Sequence, residues 1–287
     1  MTTAHLLATA WDWEPSVLLG CTALIAAYVA ATRRRPTRQM CSFFAGVAVL
    51  LFAQCSPLDA LGDTYLFSAH MIQHLLLLLI VPPLLVLGIP AWLAEQWLAS
   101  PRIGRAERTL RQPAVAWLLG IGAMYLWHLP ALYNAALAHV GVHIVEHLCF
   151  IVTGVVFWWP VCAPLASARY APLAALLYLF TAAIAGSALG IVLTFASPGL
   201  YPAYLTPVDT RGFLSLIRGD WGLSPAVDQQ LGGLIMWVPG GLVYLCAIIA
   251  TLAHWYNEAD TEDESTPSRG YAGNPHAAVP SAPGEGI

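Results

Sequence analysis

The sequence predicts an all-α, polytopic membrane protein built as a seven-transmembrane helix bundle. Of its 287 residues, 58% are hydrophobic and only 10% charged, with a mean hydropathy of +0.66. A soluble domain carries roughly a quarter charged residues. Seven apolar runs reach or approach the ~20 residues that a helix needs to cross a hydrocarbon core about 30 Å thick. The basic residues, all arginine, gather between particular runs instead of scattering.

In chain order the runs are approximately 15–31, 39–55, 66–90, 113–129, 142–164, 172–196 and 230–253. The second is diluted by Ser42, Gln54 and Cys55. The third contains Pro82-Pro83, which removes two backbone donors and should kink it; neighbouring helices can re-satisfy such a backbone inside a membrane. Pro160 and Pro239 sit similarly in the fifth and seventh runs. Arg33, Arg34, Arg35 and Arg38 follow the first run, Arg102, Arg105, Arg108 and Arg111 the third, and Arg169 the fifth. Arg211 and Arg218 lie on the opposite side, after the sixth. The positive-inside rule makes the first set cytoplasmic, which places the N-terminus outside and the C-terminus inside. Trp127, Tyr133, Tyr201, Tyr204, Trp221 and Trp237 are expected to form an outer interfacial belt, and Trp92, Trp97, Trp255 and Tyr256 an inner one.

Residues 1–256 therefore read as one transmembrane domain, and 257–287, acidic and then rich in Pro, Gly and Ala, as a disordered cytoplasmic tail. The net charge of −4 comes largely from that tail. Nothing points to a nucleic-acid partner; the lipid bilayer is the expected surrounding. Cys21, Cys41, Cys55, Cys149, Cys162 and Cys246 show no regular spacing and read as small hydrophobes. No basic stretch precedes Trp11-Asp12-Trp13 and no small-residue cleavage pattern follows the first run, so a cleaved signal peptide is not expected.

The topology gathers scattered polar residues at one depth. His70 and His74 are spaced i, i+4 near the outer end of the third run and share a helix face. His128 ends the fourth run, and His143 and His147 repeat the spacing at the start of the fifth, with Glu146 beside them. Asp228, Gln229 and Gln230 open the seventh run, with Met236 deeper. Ionisable residues inside a membrane are costly and mark function by default. Taken singly, each has a plain reading: an interfacial histidine, a packing methionine (Met71, Met236), or imidazoles bonded to one another and to Gln73 or Gln229. Together they point to a metal or cofactor site. Imidazoles suit zinc, copper, iron or nickel, and a thioether adds a preference for Cu(I). His143-Ile144-Val145-Glu146-His147 also matches the H-x-x-E-H pattern of zinc hydrolases, in which Glu146 would be the general base. Two histidines on different helices could instead ligate a b-type haem.

An ordered set of motifs carries a more specific signal. These are His70-Met71-x-x-His74, Pro82-Pro83, Gly88-x-Pro90, Trp127-His128-x-Pro130 with Tyr133, His143-x-x-Glu146-His147, Trp158-Trp159-Pro160, and Asp228-Gln229-Gln230-x-Gly232-Gly233 leading to Met236-Trp237. With them the chain resembles, from about 60 to about 250, the CtaG family of multi-pass cytochrome c oxidase assembly factors, the type associated with bacterial caa-type oxidases. The resemblance implies a plasma-membrane protein that partners haem–copper oxidase subunits and helps form their copper centres. On that basis His70, His74, His143 and His147 are expected to ligate copper directly, with His128 as a further or alternating ligand. Glu146 and Asp228 would orient the imidazoles, and Met71 and Met236 would relay the ion.

Overall fold

The computed structural model describes residues 2–33 and 37–265, and every regular element among them is helical. Thr3–Thr9 (α1) and Pro15–Ala31 (α2) lead into Gln39–Cys55 (α3) and the short Pro57–Thr64 (α4). Phe67–Leu75 (α5) continues through a π-helical turn, Leu76–Ile80, into Val81–Leu87 (α6). Ala91–Leu98 (α7), Pro101–Leu110 (α8), Pro113–Trp127 (α9), Pro130–Ala138 (α10), Val140–Cys162 (α11), Pro172–Phe195 (α12) and Pro225–Ser265 (α13) follow. Seven of these helices, α2, α4, α8, α9, α10, α12 and α13, begin on a proline, where its missing N–H costs no hydrogen bond.

Four helices are long and apolar enough to cross a membrane: Phe67–Leu87, Val140–Cys162, Pro172–Phe195 and Pro225–Asn257. Two bent pairs, α3 with α4 (47°) and α9 with α10 (70°), raise the number to six if each pair is one span. The expected first span, α2, has 17 residues, about 25 Å of helix at 1.5 Å per residue, which is short of a 30 Å core. The other expected boundaries fall within a few residues of helix ends, except at the last. There α13 is helical through Ser265, the last described residue, running past Pro239 with no further proline along it. Residues 266–287 of the expected tail lie outside the described residues. The sequence reading passed over α1, α4, α7, α8 and α10, each ten residues or fewer.

Close backbone approach brings the long helices together. A methyl group on Gly190 would lie 2.7 Å from Trp237 N and 2.8 Å from Gly233 O, so α12 and α13 touch backbone to backbone, as small residues permit in membrane bundles. Gly154 likewise admits Pro82: a Cβ there would sit 2.6 Å from Pro82 Cγ. Pro82 leaves the Leu78 carbonyl without its helical donor, and Trp158 Nε1 on α11 supplies one at 3.1 Å. The break that proline imposes on the third run is thus absorbed by the π-helical turn before it and by a side chain from the next helix.

Of the six residues expected in the outer aromatic belt, Trp237 is exposed and Trp221 half-buried, but the other four are not at the surface. Trp127, Tyr133, Tyr201 and Tyr204 are buried. Their hydroxyls and ring faces find better partners inside the bundle, where α10 and the loop between α12 and α13 fold back over the helix ends. Trp97, Trp255 and Tyr256, expected at the other boundary, are exposed, as interfacial residues would be.

Candidate metal centre

The centre is assembled from the starts of α5 and α11, the ends of α3 and α9, and the two short helices α4 and α10. Asp228 of α13 fixes where α5 begins. Its carboxylate accepts Phe67 N at 2.8 Å, Ser68 N at 3.1 Å and Ser68 Oγ at 2.5 Å. A carboxylate on these free amides also meets the positive end of the helix dipole. Asp228 therefore acts on the helix start and not on an imidazole, the role first expected of it. Gln229 beside it donates to the carbonyls of Leu193, Ala196 and Ser197, which ties α13 to the end of α12. Gly232, one turn on, lies against Phe67 and Met71, so α13 and α5 pack closely below the cap.

Held this way, α5 turns His70 and His74 towards α11. His70, His74, Glu146 and His147 each offer one donor atom, and these atoms lie within 4.8 Å of one another. Glu146 Oε1 is 3.5 Å from His74 Nε2, and Glu146 Oε2 is 4.0 Å from His70 Nε2. In a tetrahedral site with bonds of about 2 Å, donors sit about 3.3 Å apart, so a modest contraction would close this group on an ion. All four side chains are buried. Glu146 is thus one of the convergent donors, where the sequence had placed it outside them as an imidazole acceptor.

His143 falls into a second group, with Asp63 and His70, whose donor atoms also lie within 4.8 Å of one another. Its Nε2 is 3.5 Å from Asp63 Oδ1. Asp63 escaped the sequence reading because it lies on α4, between two apolar runs, with no motif around it. Its one signal is another i, i+4 pair, Asp59 and Asp63, between the second and third apolar runs.

The outer walls of the centre set ring orientations. His70 Nδ1 faces Gly62 O at 3.4 Å; a carbonyl only accepts, so the proton sits on Nδ1 and the Nε2 lone pair faces Glu146. Gly62 packs against the His70 backbone, where an added Cβ would sit 3.0 Å from His70 N and Cα. Tyr204 donates to the same Gly62 carbonyl (2.7 Å) and shares a 3.1 Å bond with Tyr133, whose ring centroid is 5.2 Å from that of His70. The Gln54 amide bonds His147 Nδ1 at 2.9 Å; Gln73 in turn donates to Gln54 Oε1 (2.7 Å), Asp59 Oδ1 (2.6 Å) and Ala53 O (3.0 Å). Gln73 therefore reaches the histidines only through Gln54, a residue the sequence reading treated as a blemish in an apolar run.

His128 stands apart from both groups. It donates Nδ1–H to Met124 O at 2.6 Å, which leaves the Nε2 lone pair 3.3 Å from Met71 Sδ. Its ring centroid is 5.4 Å from that of His74. Tyr201 donates to the His128 carbonyl at 2.8 Å. Met236 is buried in the same apolar core as Met71 and Phe67.

The unpaired atoms are informative. Buried polar groups in folded proteins nearly always find partners. Yet His70 Nε2, both ring nitrogens of His74, Nε2 of His143 and His147, and both oxygens of Glu146 have no hydrogen bond. The unpaired atoms thus fall into the two adjoining groups that share His70, and that donor set (imidazole nitrogen and carboxylate oxygen) fits a transition-metal cation.

Apolar helices long enough to span a bilayer, folded around buried and unpaired imidazoles, define a multi-pass membrane protein with a candidate metal centre. The chain belongs to the cytochrome c oxidase caa3 assembly factor family (Caa3_CtaG), which matches residues 23–258. Among curated proteins it is similar to an uncharacterized protein of Mycobacterium leprae (strain TN), at 25% identity over 268 residues, and to one of Mycobacterium bovis (strain ATCC BAA-935 / AF2122/97), at 26%. Each alignment takes in 85% of this chain and 39% of the relative, so the chain spans about two fifths of the length of these curated relatives. No solved structure matches the chain.

Proposed function

We propose that this protein binds copper as cargo at the His70–His74–Glu146–His147 group and passes it to a haem–copper cytochrome c oxidase during assembly. Membership of the caa3 assembly factor family supports the client. The observation that carries the metal is the convergence of unpaired, buried donors on one point. An apo protein gains nothing from such an arrangement, since each buried polar atom without a partner costs about 1–3 kcal/mol; a cation would repay it.

Copper is favoured over zinc by the neighbouring pair. The His128 lone pair and the Met71 thioether face each other at 3.3 Å, a spacing suited to two donors on one ion. A thioether is a soft ligand that selects Cu(I). The zinc-hydrolase alternative needs Glu146 free as a general base, whereas here it lies among the donors. A b-type haem is disfavoured because the carboxylate lies against both His70 and His74, a setting for a bare cation. The protein is accordingly read as a carrier without enzymatic activity. Arginine placement supports seven crossings of the bacterial plasma membrane, α2 included, with the N-terminus and the metal centre outside and the C-terminus in the cytoplasm.

The test is elemental analysis of the full chain, purified in detergent from copper-replete cells. Stoichiometric copper that is lost in His74→Ala and His147→Ala, with caa-type oxidase activity falling in the same strains, supports the proposal. Zinc in place of copper, or neither metal with oxidase activity intact in both variants, overturns it.

A further inference from the structure

His70 belongs to both donor groups, and the two groups differ in exposure. His74, Glu146 and His147 are buried, with side-chain exposures of 4%, 0% and 4%. Asp63 is 36% exposed and His143 15%. The donors therefore form a graded series: a carboxylate open to the surroundings, an imidazole partly open, a shared imidazole fully buried, then the inner group. His143 and His147 lie one turn apart on α11, their rings meeting edge to face at 60° with centroids 4.0 Å apart.

We infer that Asp63, His143 and His70 form an outer loading station for copper, distinct from the inner group, and that His70 hands the ion from one to the other. The inference rests on the copper-binding reading above. Asp63 supplies a carboxylate at the open edge of the centre, its Oδ1 3.9 Å from His70 Nδ1 and 3.5 Å from His143 Nε2. Oδ1, the atom that faces the imidazoles, is buried and unpaired, while the side chain as a whole is 36% exposed, so the carboxylate meets a hydrated cation at its open edge and the imidazoles then replace water ligands. Exchange then proceeds one bond at a time: His70 stays on the ion while Asp63 and His143 release it and Glu146, His74 and His147 take it up. No electron changes hands; His147, whose Nδ1 accepts from the Gln54 amide and whose proton therefore sits on Nε2, gives up that proton to water as its ring takes the ion. A site in which every ligand is buried would instead demand that the ion lose all its water before gaining any ligand. The fewer and more exposed ligands of the outer group make it the weaker of the two, as a station on a path must be.

A residue that serves only a path changes rates in both directions and leaves the equilibrium alone. The full chain in lipid nanodiscs is mixed with a chromophoric copper chelator of known affinity, and transfer is followed in both directions. Asp63→Asn should slow loading and release by the same factor, about tenfold, with copper stoichiometry and dissociation constant within about twofold of wild type. Asp63→Glu should restore the rate, which separates the effect from misfolding. Asp12→Asn, which removes a carboxylate outside the centre, should leave it unchanged. In a second arm, His74→Ala/His147→Ala should still capture copper weakly, and adding Asp63→Asn should abolish that capture. Wild-type rates in Asp63→Asn overturn the station alone. So does a loss of affinity with loading unchanged, which would make Asp63 a resident ligand. A wild-type chain that takes up no copper overturns the copper reading and the station with it.

Discussion

At the end of the bundle near α7 and α8, buried or half-buried polar groups are paired. Glu107 holds Arg111 at 2.7 Å and accepts Trp159 Nε1 at 3.1 Å; Tyr170 donates to the Arg111 carbonyl at 2.6 Å, and Tyr178 to that of Phe157 at 3.0 Å. Trp158 serves the carbonyl that Pro82 leaves bare. Among the atoms there without a hydrogen bond, Trp117 Nε1 is isolated, and Arg111 Nε is held by Glu107 as an ion pair. At the histidine end the unpaired atoms come as a convergent set. The two regions use similar side chains under the same desolvation cost, yet one spends them on stability and the other holds them open. The difference teaches where to look for function in a protein whose surface is mostly lipid-facing: at unpaired polarity that converges.

Substitutions can break or sharpen that contrast, and their expected effects fall in order. His70→Ala should have the largest, because His70 serves both donor groups: copper affinity should drop by about 100-fold or more, measured by competition with a chelator. Glu146→Gln should lower copper affinity about 10–100-fold. It should also raise the unfolding midpoint of the apo protein in detergent, since a buried carboxylate without partners is replaced by a neutral group of the same shape. A lowered midpoint would place Glu146 with the structural polar groups instead. Gly154→Ala should cost about 1–3 kcal/mol of stability by overpacking against Pro82, read from thermal unfolding, with copper affinity unchanged. Tyr178→Phe, at the paired end, should have the smallest effect: it removes one hydrogen bond worth about 1 kcal/mol and should lower the apo midpoint, the opposite sign to Glu146→Gln.

Much of this molecule was legible before its structure. The extent of the apolar runs placed α2 and α3 to the residue, and the i, i+4 spacing put His70 with His74 and His143 with His147, because helical geometry alone fixes which side chains share a face. The short helices were not legible: α4 and α10 hold eight and nine residues, too few for periodicity to declare itself. Asp63 and Tyr133 were misjudged for the same reason, one overlooked and the other taken for an interfacial anchor.

The sequence by itself determined that the chain is helical and apolar, that its histidines pair along helix faces, and which family it joins. Only the tertiary structure decided which faces meet. The 70° bend after Trp127 carries α10 back over the centre, the Asp228 cap sets the start of α5, and Gly62, Gly154 and Gly232 set how closely neighbouring helices approach. Those choices put Glu146 among the donors, Asp63 at their rim and His128 against Met71. The physical reason is that a helix's own periodicity fixes relations within it, whereas its rotation and depth against a neighbour depend on contacts between residues far apart in the chain.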